Sequence, residues 1–583
     1  MAITARHAHF NRCSPKKVDS DFALITPRSK SSEYPLLTLT ACAVALPMMC
    51  AYQQPPLPAF FNQALALALW CGVLLLLAMT ARGALLCNNS GISRLVTPVN
   101  LWALLLATVA AHAAVSLTPV FIAAPIALNL ALALLVTAAM TWIAPSQEQL
   151  KRWLQAFLLG ILIAALFNSW VALVQSVAPN WADDSFIARL PIRQDRVVGN
   201  LRQPNQLATL MVWGLLATSF FWRRQPLLWI VFSAPLLATL AATGSRTGMI
   251  SLLLIVVVAL LRSRRVRAWR VKGWLALLLA ALPLLWIAES IFTRSTAHVA
   301  LTLRLALWRD TLEIISQHPW FGVGWGQLNF AWTLTPLAHR AADVFDHAHS
   351  LPLHLAVELG LPIATLTLGL LGALLWRVRS ALQSSHGATA VLLLATVLLH
   401  SFFEYPLWFS YFLLPSAFLL AWLVSFAKTD PDAAATSVEV SRAAWLGNAF
   451  KVMAVLSLAG VVYACIEYQK AVNIHRAVGQ STALTSAINT AQQSPLFGHF
   501  GDYAAIMLAA DTATSSLFIR PIRHVLDERL LSAYARMLAR TGERDRARFV
   551  VERAREFPPD AAFGNLPSVT GSAPALNAGD FRR

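Results

Sequence analysis

Two histidines stand in the run Asp346-His347-Ala348-His349-Ser350, just before an apolar stretch that opens at Leu351. Imidazole is the usual general base for a hydroxyl nucleophile near neutral pH. An ionisable cluster at the mouth of an apolar helix is costly to place and needs a reason. His349, at the helix entrance, is the candidate base, and His347 is a candidate substrate contact. His354, one turn deeper, reads as packed and hydrogen-bonded. Asp346 with the two histidines also has the composition of a metal site. No second ligand group at firm spacing accompanies it, so no metal and no cofactor is expected.

Arginine supplies the second chemistry. Gly244-Ser245-Arg246-Thr247-Gly248 is a tight turn that opens a helix. Free N–H groups beside a guanidinium make an anion site; the alternative is an ordinary turn whose arginine reaches the membrane surface. Arg304 begins the helically spaced run Arg304-Leu305-Ala306-Leu307-Trp308-Arg309-Asp310, which also fits an amphipathic helix lying on a membrane. A Gly-aromatic loop follows, His318-Pro319-Trp320-Phe321-Gly322-Val323-Gly324-Trp325-Gly326. Its Trp320 and Trp325 suit either an interfacial belt or a sugar-stacking platform. Gly199-Asn200-Leu201-Arg202-Gln203-Pro204-Asn205-Gln206 is amide-rich and broken by proline. It either caps the next helix or binds a polar ligand through Gln203 and Gln206, with Arg202 on an anion. Glu404-Tyr405-Pro406 lies at a hinge between two apolar runs, where Tyr405 or Glu404 can orient His349 or an acceptor.

Those islands need elements to hold them, and composition says which. The chain has 583 residues, is 57% hydrophobic and only 13% charged. Soluble domains carry about 25% charged residues. Apolar runs of roughly 17–25 residues, long enough to cross the hydrocarbon as helices, recur along the chain. They are continuous, not alternating, which excludes a barrel. The fold class expected is an all-α polytopic membrane protein with about thirteen spans. They lie near residues 35–51, 58–79, 99–116, 119–142, 153–177, 205–222, 226–243, 246–261, 273–291, 351–376, 388–403, 407–427 and 447–466.

The net charge of +18 reads as orientation signal, not as nucleic-acid binding. Lys16-Lys17, Arg82 with Arg94, Lys151-Arg152, Arg223-Arg224, the cluster from Arg262 to Lys272, and Arg377 with Arg379 fall in connections of one parity. By the positive-inside rule these are cytoplasmic. Connections of the other parity contain no lysine, yet hold Arg189, Arg193, Arg196, Arg202, Arg246, Arg294, Arg304, Arg309 and Arg340. Arginine without lysine, on the disfavoured side, suits bidentate anion recognition. All the chemically suggestive islands share this outer side. Three regions follow: a basic cytoplasmic segment 1–34, a membrane domain 35–466 with a large outer loop 292–350, and an outer helical domain 467–583. The last contains one tetratricopeptide-like helix pair around Gly542, and its small polar residues beyond about 559 read as a disordered tail. The six cysteines show no disulfide or metal spacing.

Taken together, these motifs resemble the O-antigen ligase/polymerase superfamily. The resemblance rests on Arg304 to Arg309, His318 to Gly324, His349-Ser350-Leu351-Pro352-Leu353 with Glu358-Leu359-Gly360, and the arginine turn Gly244 to Gly248. It covers roughly residues 190–425. Gly199 to Gln206, with Leu207-Ala208-Thr209-Leu210, is similar to a segment of the bacterial O-linked oligosaccharyltransferases, the protein glycosylation ligases. Those also tend to carry an extra C-terminal periplasmic helical domain. The resemblance implies a GT-C-like helical fold in the bacterial inner membrane with its active site facing the periplasm. It further implies en bloc transfer of a glycan from undecaprenyl pyrophosphate to a Ser or Thr of an exported protein such as a pilin, without a metal. Arg246 and Arg304 would hold the pyrophosphate, Arg202 would be a third contact, and His349 would be the base. The family commonly has His-Asn where this chain has His349-Ser350; serine is an equally good cap for the following helix. The rivals are lipid A-core O-antigen ligation and polysaccharide polymerisation. A transporter would carry buried charge pairs within its spans, which are almost free of them.

Overall fold

Apolar runs become helices, and proline and capping residues fix where they start. In the computed structural model, residues 33–557 are described apart from 81–94, 144, 191–195, 263–295, 339, 342–343, 428–436 and 525, together with 566–568 and 575–582. The described residues contain helices and turns and no strand. Proline, with no N–H to lose, opens Pro98–Ala114, Pro204–Trp222 and Pro226–Ala242. Thr97 caps the first of these, its hydroxyl accepting from Asn100 N at 3.2 Å. Ser146 and Gln149 form a reciprocal capping box at the head of Gln147–Val177.

Among the described residues, five helices are long and apolar enough to cross a membrane: Phe60–Thr80, Val120–Ile143, Gln147–Val177, Ser410–Ala427 and the Trp445–Arg476 part of Ser437–Arg476. Shorter apolar helices include Tyr34–Met49, Pro98–Ala114, Pro226–Ala242, Leu361–Arg377 and Ser385–Ser401. This is a helical membrane protein. The expected span 273–291 lies outside the described residues.

One expected span is interrupted. Residues 351–376 read as a continuous apolar run, but the helices are Leu351–Leu359 and Leu361–Arg377, parted at Gly360. The reason is local. Gly360 has φ 82° and ψ 159°, a conformation open essentially to glycine alone. Carbonyls freed by the break are taken by the Gly-aromatic loop: Val323 N donates to Val357 O at 2.9 Å and Gly324 N to Glu358 O at 3.0 Å. Leu361 N returns a bond to Pro319 O at 2.8 Å. A Cβ on Gly360 would meet Trp320 O at 2.3 Å. Gly360→Ala is therefore expected to cost about 1–3 kcal/mol from backbone conformation alone, with the clash in addition. Thermal unfolding of the purified protein in detergent checks this; an unchanged midpoint would mean that the loop docks elsewhere.

The C-terminal helices adjoin the segment that follows the Thr296–Gln317 helix. Ser437–Arg476 runs unbroken past residue 467, where the sequence suggests a domain boundary. The foreseen pair, Glu528–Arg540 and Arg544–Arg555, packs together around the Gly542 turn. Arg340, its side chain fully buried, pairs with Glu556 at 2.7 Å. Arg523 Nε donates to Gln327 Oε1 at 2.5 Å, and Leu526 N to Asn329 Oδ1 at 2.7 Å. The expectation of a disordered tail fails at Ala578–Phe581, a short turn of helix. Phe581 is buried against Phe549, 5.4 Å between centroids, and Arg582 donates to Val323 O at 2.8 Å. An aromatic side chain with a ready pocket is enough to order a small-residue segment.

Candidate active site

His349 is held from three sides. The Thr296–Gln317 helix sends the Trp308 indole N–H to Ala348 O at 3.0 Å. After it, Ser350 O accepts from His354 N at 2.8 Å and starts the Leu351–Leu359 helix. Ser350 stands at the cap position, but its hydroxyl makes no capping bond, so the expected serine cap is absent. Between these anchors His349 adopts φ 47°. Non-glycine residues in this left-handed region are uncommon, cost of order 1–3 kcal/mol, and cluster at functional sites.

The third hold is Glu404. Its Oε2 lies 3.1 Å from His349 Nδ1. Burial alone would raise the Glu404 carboxyl, but the His349 hydrogen bond and the nearby positive charges, Arg304 among them, bring it below the ordinary range. The carboxylate is thus ionised at neutral pH, and Nδ1 must be the donor. In the neutral imidazole this leaves the lone pair on Nε2. Nε2 has no hydrogen-bond partner among the described residues, and the ring is partly exposed. An ionised carboxylate behind an imidazole with a free, accessible nitrogen is the arrangement of an oriented general base.

Glu404 joins the histidine run, the Arg304 helix and the Gly199–Gln206 segment. Its Oε1 accepts from Arg304 and from Asn205 Nδ2 at 3.0 Å. Asn205 Oδ1 in turn accepts from Ser245 Oγ at 2.7 Å and from Arg196 at 3.3 Å. Arg196 Nε donates to Thr243 O at 2.6 Å, bracing the turn that presents Arg246. Burial lowers the Arg196 pKa; Glu404 opposes this, and the Arg304 and Arg246 charges add to it. The three guanidiniums and one carboxylate therefore share one electrostatic neighbourhood. Arg246 opens its helix, is exposed, and has no acidic partner among the described residues.

The other sequence candidates are placed differently. Arg202 (φ 56°) donates to Ala51 O and to Asp184 at 3.2 Å. Gln203 caps its helix, accepting from Gln206 N at 2.6 Å. Gln206 is buried and accepts from Tyr411 Oη at 2.8 Å. All three take partners from the protein. His347 stacks on Tyr405, 4.0 Å between centroids and 9° apart in plane. The Asp346 carboxylate stands 2.7 Å from His347 Nδ1, at an angle poor for a hydrogen bond. Burial, with the Asp346 and Glu404 charges, pushes the Tyr405 phenol above its usual range, so it stays a neutral donor. Trp325 is buried and does not offer a stacking platform, whereas Trp320 is exposed. Among the described residues no group of three or more His, Cys, Asp or Glu is placed to hold a metal ion.

Comparison with known proteins divides the chain as the site does. Residues 197–222 match the family "Protein glycosylation ligase", 230–368 match "O-Antigen ligase", and 388–567 match "Virulence factor membrane-bound polymerase, C-terminal". A General O-oligosaccharyltransferase of Acinetobacter baylyi is 28% identical over 277 residues, 43% of this chain and 47% of the relative. A ComP-specific O-oligosaccharyltransferase of the same organism is 28% identical over 244 residues, 39% of this chain and 44% of the relative. The chain resembles the O-oligosaccharyltransferases of the O-antigen ligase superfamily. It spans about half the length of these curated relatives. The hub draws on all three matched segments: Asn205 from the glycosylation-ligase part, Arg246, Arg304 and His349 from the ligase part, and Glu404 from the polymerase-type part.

An apolar cavity of about 280 Å³ lies beside the histidine cluster. Its walls come from the helices Phe60–Thr80, Pro98–Ala114, Val120–Ile143, Leu361–Arg377, Ser385–Ser401 and Ser410–Ala427, and Trp325, Leu351, Leu355 and Trp408 line its end nearest the loop. Trp408 meets His347 and His354 edge-on, at 4.8 and 4.5 Å between centroids. His354 is buried and lies 3.3 Å from Glu358, as expected of a packed histidine.

Proposed function

We propose that this chain is a glycosyltransferase that moves a preassembled oligosaccharide en bloc from undecaprenyl pyrophosphate to Ser or Thr hydroxyls of exported, pilin-like proteins. The observation that carries this reading is the Glu404–His349 pair with Nε2 free and Arg304 on the other carboxylate oxygen. Nε2 takes the proton of the acceptor hydroxyl while that oxygen bonds to the anomeric carbon. The bond from that carbon to the pyrophosphate oxygen breaks, and the pyrophosphate leaves with its charge held by Arg304 and Arg246. Guanidiniums form paired, charge-assisted bonds to phosphate, and such contacts strengthen as charge develops. The apolar cavity beside the cluster suits part of the prenyl chain. Tyr405 and His347 line the approach, while Arg202, Gln203 and Gln206 shape the segment that presents Asn205. A protein acceptor is favoured over lipid A core by the match at 197–222 and by the two relatives' names.

The deciding experiment expresses the chain with a lipid-linked glycan and a pilin-like acceptor, and looks for glycopeptides by mass spectrometry. Glycosylated lipid A core in a ligase-deficient host, with no glycopeptide, would favour the O-antigen ligase instead.

The reading also places the loop 292–350 and the C-terminal helices in the periplasm, the polytopic domain in the inner membrane, and the 263–272 connection in the cytoplasm. In a cysteine-free background, Trp320→Cys and Arg544→Cys are expected to react with an impermeant thiol reagent in intact spheroplasts, and Ala268→Cys is not. Arg340 is unsuitable as a reporter because its side chain is buried. Labelling at 268 alone would reverse the whole arrangement.

A further inference from the structure

Glu404 is asked to serve two N–H donors at once, a guanidinium and an imidazole. Its Oε1 carries Arg304 and its Oε2 carries His349. If Arg304 also holds the donor, it cannot give its full set of N–H groups to both. The geometry of the exchange is already present. The Arg304 side chain is 31% exposed and so reaches solvent, whereas that of Glu404 is only 8% exposed. Asn205 Nδ2 sits on the oxygen that Arg304 would vacate, at 3.0 Å. Asn205 is itself braced by Ser245 and Arg196, so it can hold the carboxylate still when the arginine turns away.

We infer that donor binding switches on the base by partner exchange, with Glu404 as the shared carboxylate and Asn205 as the positioning residue that keeps it in place. This deepens the transferase reading above and rests on it. In the donor-free protein Arg304 neutralises Glu404, and its positive charge near His349 disfavours the imidazolium. Arrival of the pyrophosphate draws Arg304 to the phosphate oxygens. Glu404 then keeps two hydrogen bonds and directs its whole charge at His349. The imidazole becomes a stronger base only when a donor is in place, so acceptor hydroxyls, water included, are not activated against an empty site. No bond is made or broken in the exchange beyond hydrogen bonds and ion pairs.

The exchange makes a prediction of unusual sign. Glu404 competes with the donor for Arg304, so removing the carboxylate should tighten donor binding while stopping the reaction. The test uses the full chain in nanodiscs with undecaprenyl pyrophosphate lacking a glycan, titrated by intrinsic fluorescence or native mass spectrometry. Glu404→Gln is expected to bind it about 10-fold tighter than the parent, a difference of about 1.4 kcal/mol. Loss of a nearby negative charge would tighten binding even without exchange. The cycle with Arg304→Ala separates the two effects. In the Arg304→Ala background the gain from Glu404→Gln should shrink to less than about 2-fold. A gain that persists in full there, or unchanged or weaker binding by Glu404→Gln, overturns the proposal. If the glutamine variant does not accumulate, Glu404→Ala is read the same way. Asn205→Ala is expected to lower kcat roughly 10-fold with donor affinity kept within 2-fold; equal losses in both would remove Asn205 from the relay. The binding cycle does not depend on turnover. A chain that transfers nothing yet shows the cycle keeps the exchange and loses the transferase reading, and the reverse result does the opposite.

Discussion

His349→Ala is expected to retain expression and donor binding and to lose glycan transfer by about 10²- to 10⁴-fold, the usual contribution of a positioned base. His347→Ala and His354→Ala are expected to lose less. His347 lies flat on Tyr405, and His354 is packed beneath Trp408; each has a carboxylate nearby, but neither makes the hydrogen bond to it that His349 makes to Glu404. The pH profile distinguishes a base from a structural histidine. Glu404 is held below the ordinary carboxylate range, because the His349 bond and the Arg304 charge outweigh its burial. It therefore stays ionised at neutral pH and does not supply the acid limb of kcat/KM. Loss of the proton acceptor at His349 Nε2 is the expected source of that limb. Residual activity of His349→Ala should lose that limb and run flat. An unchanged limb in the variant would hand the base to another group. EDTA is expected to leave the parent enzyme unaffected. Loss of activity with rescue by a divalent ion would turn the Asp346 to His349 run into a metal site.

Much of the arrangement was legible in residue order, and the exceptions have physical causes. Apolar runs announced the helices because each had to bury or face lipid along its whole length, and proline at Pro204 and Pro226 marked where they begin. The break at Gly360 was hidden because hydropathy does not register backbone conformation. Leu359 and Leu361 are equally apolar, and only the docked loop reveals where the freed carbonyls go. His349 was visible because a polar residue at a helix mouth is conspicuous. Its partner Glu404 was visible only as a lone acid at a hinge, 55 positions along the chain. Asn205 and Arg196 were missed for a different reason. Each sat among neighbours of the same type, Gln203 and Gln206 beside one, many outer arginines around the other. Composition marks such a segment as polar without saying which member points inward. Arg202 shows the converse: its residue type drew notice, and Asp184 and the Ala51 carbonyl are its partners in the fold.

Arg304→Lys is expected to be almost as damaging as Arg304→Ala, and the same holds for Arg246. Each should lose about 2–4 kcal/mol of transition-state stabilisation, roughly 30- to 1000-fold in kcat/KM, as for other groups that stabilise developing charge. The argument is geometric. A leaving pyrophosphate spreads its charge over several oxygens, and a guanidinium meets two of them with parallel N–H bonds. An ammonium is a single, strongly hydrated point. At Arg304 the loss is compounded, because a lysine paired with Glu404 would have fewer N–H groups left for a ligand. Arg246 has no such competing acid among the described residues, so its substitution isolates the contribution of the donor contact. The two effects should be less than additive if both arginines grip the same pyrophosphate. Steady-state transfer with lipid-linked glycan and acceptor protein gives the ratios directly. Full activity in both lysine variants would reduce these arginines to a structural role, with Arg304 serving only to neutralise Glu404 and Arg246 only to close its turn.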